Sequence, residues 1–448
     1  MSDKLQHMGT LPKLWSQISK RPLVRDTIVT TVLSTAGKAV GFLIPFFIAA
    51  WFGVTGETDA FFFAYGLVVF LTQIFASVVE SIIVPFIAEI KANNEAEIKT
   101  FLGSTLMLAT GGLALLGIVF LIVAKPLLTV VTRFPPESIE LTFLLLAETV
   151  PLLVLLVGTS LLSGALNAYR LFWLPATSPA FRALLTLFVI YLFKDKIGVH
   201  SIAAGYVVGE GFRFLILSRE LFRRGILSFK ISNVLNPKLL EFLKITSYQV
   251  IGMVAIAFNP IVDKTMASWL GPGYVSILEY ADRLYQIPMN LISQGLFVVL
   301  LSHWSDDFYQ GNEGVFKSRV INTAMAIGGG VVLLSLTFIL LRYPLVNLVY
   351  GYGKFPRQYL PQVTAVWGLY LIGLAPTIFG LIFARAHMVW KNTRTLMNLG
   401  ILNCIMHVLL NLILIGPFGI YGLALSTVVT YSLVSIGLYV TFLRSTIA

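Results

Sequence analysis

Apolar residues run through this chain in blocks of about twenty, broken by charged clusters or by Pro and Gly. A bilayer core of roughly 30 Å takes about 20 helical residues at 1.5 Å each, so each block predicts one membrane-crossing helix. About twelve blocks are present, at 28–53, 60–88, 101–124, 141–166, 173–193, 199–218, 246–270, 284–302, 320–341, 363–384, 396–416 and 418–443. The connections between them average only about a dozen residues, which leaves no room for a soluble domain. Any chemistry must then sit among the helices.

The two halves of the pattern echo one another. Trp51-Phe52-Gly53 recurs as Trp269-Leu270-Gly271 and Pro126-Leu127 as Pro344-Leu345, both at an offset of 218. Gly198-Val199 with Ala203 recurs as Gly419-Ile420 with Ala424, at an offset of 221. With six blocks per half, each repeat starts on the same side of the membrane, so the repeats are parallel and related by an axis along the membrane normal. The expected fold is an all-α polytopic membrane protein: two pseudo-symmetric six-helix bundles around a central cavity, which rock to give alternating access. The expected division is a cytoplasmic amphipathic segment at 1–27, bundles at 28–224 and 246–448, and a basic cytoplasmic connection at 225–245.

Composition agrees: 57% of residues are hydrophobic and 12% charged, against about 45–50% and 25% in soluble domains. Lys and Arg number 32 against 21 Asp and Glu, a net charge of +11. In a polytopic chain that excess marks cytoplasmic loops rather than nucleic-acid binding. Threading the blocks from a cytoplasmic N-terminus puts about 21 Lys and Arg on the cytoplasmic side and about 7 outside, with both termini cytoplasmic. The single Cys404 excludes a disulfide framework and a CxxC redox motif.

An ionised side chain near the bilayer centre costs at least ~2.5 kcal/mol on insertion scales, so charges inside the blocks predict a cavity, a partner or an interface. Lys38, between Gly37 and Gly41, either snorkels to the cytoplasmic interface or offers a cavity cation to an anionic substrate. Asp59 opens the second block and fits an N-cap. Gln73 and Glu80 lie seven residues apart on one face of that helix, facing the cavity or a neighbouring helix. The seventh block contains Asn259-Pro260-Ile261-Val262-Asp263-Lys264, a proline break beside adjacent charges that point about 100° apart, so at least one faces the cavity. Asp282 precedes the eighth block as a cap. Arg283, whose planar fork suits phosphate oxygens, projects into its first turn or lies at the headgroup level. Asn403, His407 and Asn411 share a face of the eleventh block, and Ser426, Thr427 and Thr430 lie on the twelfth. They serve as interhelical hydrogen-bonding residues or, with Asp263, as an oxygen-rich cation site. Gly351-Tyr352-Gly353-Lys354 is too short for a P-loop, and HExxH and nucleophile-elbow motifs are absent, so no catalytic residues and no structural metal are expected.

Several segments together resemble the MurJ/MviN family of lipid II flippases, within the superfamily that includes MATE drug transporters. In the first half they are Gly41-Phe42, Trp51-Phe52-Gly53, Thr58-Asp59-Ala60-Phe61-Phe62 and Val84-Pro85-Phe86-Ile87-Ala88-Glu89. In the second they are Ile261-Val262-Asp263-Lys264-Thr265-Met266-Ala267-Ser268 and Tyr280-Ala281-Asp282-Arg283-Leu284 with Pro288. The resemblance implies a flippase, not an enzyme, that moves an undecaprenyl-pyrophosphate-linked saccharide such as lipid II, or a related oligosaccharide precursor, from the cytoplasmic to the outer leaflet. It carries Asp59 and Arg283 over directly and sets Lys38 where the family usually has Arg. Further family arginines fall near Ile44, Thr72 and Gln73. The family commonly has about fourteen spans, against about twelve here. The resemblance also implies a sodium site at positions similar to Asp263, His407, Asn411 and Thr427, with Asn411 standing where an acid is expected; coupling to sodium, to protons or to the membrane potential stays open, and no cofactor is expected. The expected setting is a bacterial cytoplasmic membrane, as a monomer, alongside envelope-synthesis glycosyltransferases. Competing readings are a cation-coupled drug exporter with an acid-dominated cavity and a non-transporting scaffold.

Overall fold

The computed structural model describes residues 37, 39–228, 238–244, 246, 258–309, 313–390 and 392–444. Lys38 and the segment 1–27 lie outside the described residues, as does much of the 225–245 connection. The first half contains α1 (Ala39–Phe52), α2 (Gly56–Asn93), α3 (Ala96–Val131), α4 (Pro136–Thr149), α5 (Pro151–Ala168), α6 (Trp173–Ile197) and α7 (His200–Arg223). The second contains α8 (Asn259–Ala267), α9 (Tyr274–Tyr309), α10 (Glu313–Leu340), α11 (Arg342–Tyr350), α12 (Leu360–Val389), α13 (Thr393–Phe418) and α14 (Ile420–Arg444).

Among the described residues, nine helical spans are long and apolar enough to cross a membrane. α4 and α5 form one of them, interrupted at Val150 where Pro151 starts the second helix. α1 and α8 are the described parts of the first and seventh blocks, and α9 covers the eighth. The chain is thus an all-α polytopic membrane protein, built as two bundles.

Within each half the helices pack against their own neighbours: α6 on α7, α2 on α4 and α5, and α12 on α9, α10 and α14. Lipid tails are as apolar as leucine, so such packing relies on close backbone approach at small residues and on hydrogen bonds. Gly209 of α7 illustrates this, since a Cβ there would stand 2.8 Å from the Arg182 carbonyl of α6. α2 and α12 are the central helices, 61% buried across their spans, whereas α13 is 11% buried and presents Ile401, Ile405, Leu409 and Ile413 outward, as a lipid-facing helix must.

The repeat is written in the backbone. α6 ends at Gly198 with φ 56° and ψ −135°, and α13 ends at Gly419 with φ 56° and ψ −132°, a conformation open to glycine and hostile to a Cβ. The matched prolines diverge: Pro126 lies inside the unbroken α3, but Pro344 follows a break at Leu341.

The halves meet at the end that carries the turns 53–56 and 271–273. The Lys354 amide donates to the Ala50 carbonyl (2.7 Å), Tyr280 Oη to the Gly53 carbonyl (2.8 Å) and Trp269 Nε1 to the Val131 carbonyl (2.9 Å). Arg133 stacks over the Trp269 ring at 5.1 Å.

Candidate functional site: a charged cavity between the bundles

Between the halves lies a cavity of about 700 Å³, walled by α1, α2 and α6 from one side and by α8, α9, α12 and α14 from the other. Its charged lining, among the described residues, consists of Arg182, Lys264 and Arg283 with Asp263, Glu279 and Asp282.

Glu279 organises the second-half wall. Its side chain, 4% exposed, accepts Lys264 Nζ at 2.7 Å and Arg283 Nε at 2.7 Å, with Arg283 Nη2 on the same oxygen. Lys264 also donates to the Phe62 carbonyl of α2 at 3.1 Å, crossing from one half to the other. The approach is close because α2 has no side chain at Gly66, where a Cβ would stand 2.7 Å from that ammonium.

The first-half wall supplies Arg182 from α6. Its Nη1 faces the fully buried Glu210 of α7 at 3.5 Å. Glu210 also accepts from Thr159 Oγ1 at 2.6 Å and from Arg213 Nη1 at 3.1 Å. Burying such charges is tolerated because each has a partner.

Asp59 is placed otherwise than as the N-cap or cavity residue expected. α2 is capped by Thr55, which forms a capping box with Thr58. Asp59, fully buried, accepts instead from the backbone amides of Gly273 (2.5 Å) and Ser276 (2.7 Å) and from Ser276 Oγ (2.6 Å). The start of α9 has orphan amides and the positive end of a helix dipole, so a carboxylate from the other bundle serves it well. α9 begins at Tyr274, earlier than expected, so Asp282 is no cap and Arg283 lies well inside the helix. Asp282 lines the cavity and accepts from Gln286 Nε2 at 3.2 Å. Gln73 and Arg283 line the cavity as well. Thr72 and Ile44 are buried, the former hydrogen-bonded to the Val68 carbonyl of its own helix. The Glu80 side chain, like Lys38, lies outside the described residues.

The residues singled out as cation ligands converge in part. Asp263 Oδ1 is 2.7 Å from His407 Nε2 and 2.7 Å from Asn411 Nδ2, and Asn411 Oδ1 takes the Ser426 hydroxyl. Thr427 lines the cavity, but its hydroxyl donates to the Leu423 carbonyl at 3.1 Å. A sodium ion wants oxygen ligands with free lone pairs. Here one carboxylate oxygen faces two nitrogens and the amide oxygen faces a hydroxyl. In this arrangement the donor set does not fit sodium. The cluster joins α8 to α13 by direct hydrogen bonds.

Glu279, Arg182 and Glu210 escaped the sequence reading. Arg182 and Glu210 are charges in mid-block, subject to the same insertion cost that drew attention to Lys38. Glu279 stands four residues before Arg283, the spacing of a helical ion pair.

The sequence profile described as "Lipid II flippase MurJ" matches residues 48–447. The chain belongs to the MurJ family. A probable lipid II flippase MurJ of Buchnera aphidicola subsp. Acyrthosiphon pisum is 27% identical over 425 residues, covering 91% of this chain and 81% of that protein. The corresponding protein of Thermotoga maritima is 25% identical over 415 residues, covering 91% and 83%. Among solved structures, a lipid II flippase MurJ in an inward closed conformation superposes with a TM-score of 0.80 at 22% identity, covering 92% of this chain and 87% of that one. An inward-facing MATE-family multidrug transporter gives 0.77 at 13% identity, covering 91% and 97%. At that identity the likeness to MATE is one of fold, and among the described residues the charged lining of the cavity holds three basic and three acidic side chains.

Proposed function

We propose that this chain is an alternating-access flippase that carries a lipid-linked diphosphate saccharide, of the lipid II class, from the cytoplasmic to the outer leaflet of a bacterial cytoplasmic membrane. The observation that carries this reading is the placement of Arg182 and Arg283 on opposed walls of one chamber, within a chain of the MurJ family. A diphosphate leaving water needs charge-assisted donors wherever it stops, and guanidinium groups supply them in pairs. The saccharide and diphosphate occupy the cavity while the prenyl tail stays in lipid. The end bearing the turns 53–56 and 271–273 faces outward on the positive-inside distribution, with both termini cytoplasmic, so the closed outer end corresponds to a state loaded from the cytoplasm. The protein works as a monomer beside the glycosyltransferases that make its substrate.

Asp263 is hydrogen-bonded to His407 and Asn411 where a sodium ion was expected, and the driving force we assign is the membrane potential, at about 2.3 kcal/mol per unit charge per 100 mV. The test is translocation of fluorescent lipid II in proteoliposomes. Arg283→Glu and Lys38→Glu each abolish transfer while the protein still inserts, and replacing sodium by potassium leaves the wild-type rate unchanged. Wild-type rates in both variants would refute the assignment. A probe with a different oligosaccharide on the same lipid diphosphate, moved faster than lipid II, would shift the substrate within its class.

A further inference from the structure

The three cavity cations differ in what already occupies them. Arg283 is held by two nitrogens on Glu279, and Lys264 is divided between Glu279 and the Phe62 carbonyl. An incoming anion there meets cations already held at short range by a carboxylate. Arg182 is not committed in this way. Its ion-pair contact with Glu210 is 3.5 Å long, beyond a good charge-assisted hydrogen bond. Its buried Nε has no hydrogen-bond partner. Glu210, moreover, divides its charge between Arg182 and Arg213 while accepting from Thr159.

The surroundings leave the head of Arg182 reachable. On α1, a Cβ added at Gly41 would stand 3.8 Å from Arg182 Nη2. Bare backbone therefore borders the guanidinium on that side. Tyr65, whose ring lies 4.7 Å from that of Tyr206 at a tilt of 40°, lines the same cavity as Arg182 and Arg283.

We propose that Arg182 is the first cation to grip the diphosphate and that Glu210 is a positioning residue that keeps its fork turned to the cavity. This deepens the flippase reading and rests on it. The order of events follows: the diphosphate meets the unspent donors of Arg182, and only then competes with Glu279 for Arg283 and Lys264.

The test measures binding of undecaprenyl pyrophosphate to the full chain in nanodiscs, with inorganic pyrophosphate as the tail-free probe. Arg182→Ala weakens binding of both probes at least about tenfold, the loss expected for a charged two-point contact. Arg182→Lys, which keeps the charge without the fork, falls between. Glu210→Gln weakens binding as well, but adds nothing in the Arg182→Ala background; a purely structural role would give additive losses. Gly41→Leu leaves every charge in place and still weakens binding by covering the fork. Binding by Arg182→Ala within twofold of wild type, at an unchanged melting temperature, overturns the proposal. If that variant melts early, unchanged binding by Gly41→Leu overturns it instead. A wild-type protein that binds no undecaprenyl pyrophosphate sinks the flippase reading itself, a result separate from the variants.

Discussion

At the scale of single residues, the most informative side chain is one whose partner lies far away in the chain. Asp59 accepts two backbone amides and a hydroxyl from the start of α9 while it is fully buried. Asp59→Ala leaves those donors in a dry interface without an acceptor, at a cost of about 1–3 kcal/mol each. The expected result is a clear drop in melting temperature in detergent, with Asp59→Asn less affected because it keeps one acceptor oxygen. The sequence marked Asp59 by its place after a turn, but local spacing carries no trace of a partner 214 positions on. Arg283 and Gln73 were legible as cavity residues because a polar group in an apolar block has few other places to go. Arg182, a charge in the middle of the block 173–193, was open to the same logic.

Elements were legible where apolar length alone decides them, and less so at their ends. The eighth block reads as starting at 284 because charges precede it, yet α9 starts at Tyr274. Pairing with Lys264 and Arg283 removes most of the cost of carrying Glu279 inside a helix. The break between α4 and α5 was invisible in an unbroken apolar run, although Pro151 marks it in retrospect. The internal repeat was visible as matched Gly-Val and Gly-Ile pairs, and its physical basis is a shared backbone conformation at Gly198 and Gly419. Neither position has any atom within 4 Å of an added Cβ, so substitution there tests backbone strain alone. Gly198→Ala and Gly419→Ala should each destabilise by about 1–3 kcal/mol and by similar amounts, read as paired shifts in thermal unfolding.

At the scale of the whole molecule, the bundles are joined at one end and stand apart around the cavity. Ser276 Oγ of α9 lies 2.8 Å from Thr58 Oγ1 of α2, so these two side chains touch across the bundles. With Cys404→Ser removing the native thiol, Thr58→Cys combined with Ser276→Cys should cross-link on oxidation, stop lipid translocation and recover it on reduction. Free translocation by the oxidised pair, verified by mass spectrometry, would show that this end never parts. The two-bundle plan was legible from the repeat, whereas the identity of the joined end depends on contacts between residues more than 200 positions apart. The Asp59 contact also bears on how that end behaves over time. While the interface is dry, carboxylate and amides have only each other; once water enters, all of them find new company at little cost. Sealing is thus cooperative with drying: these contacts strengthen together as water leaves and weaken together as it returns.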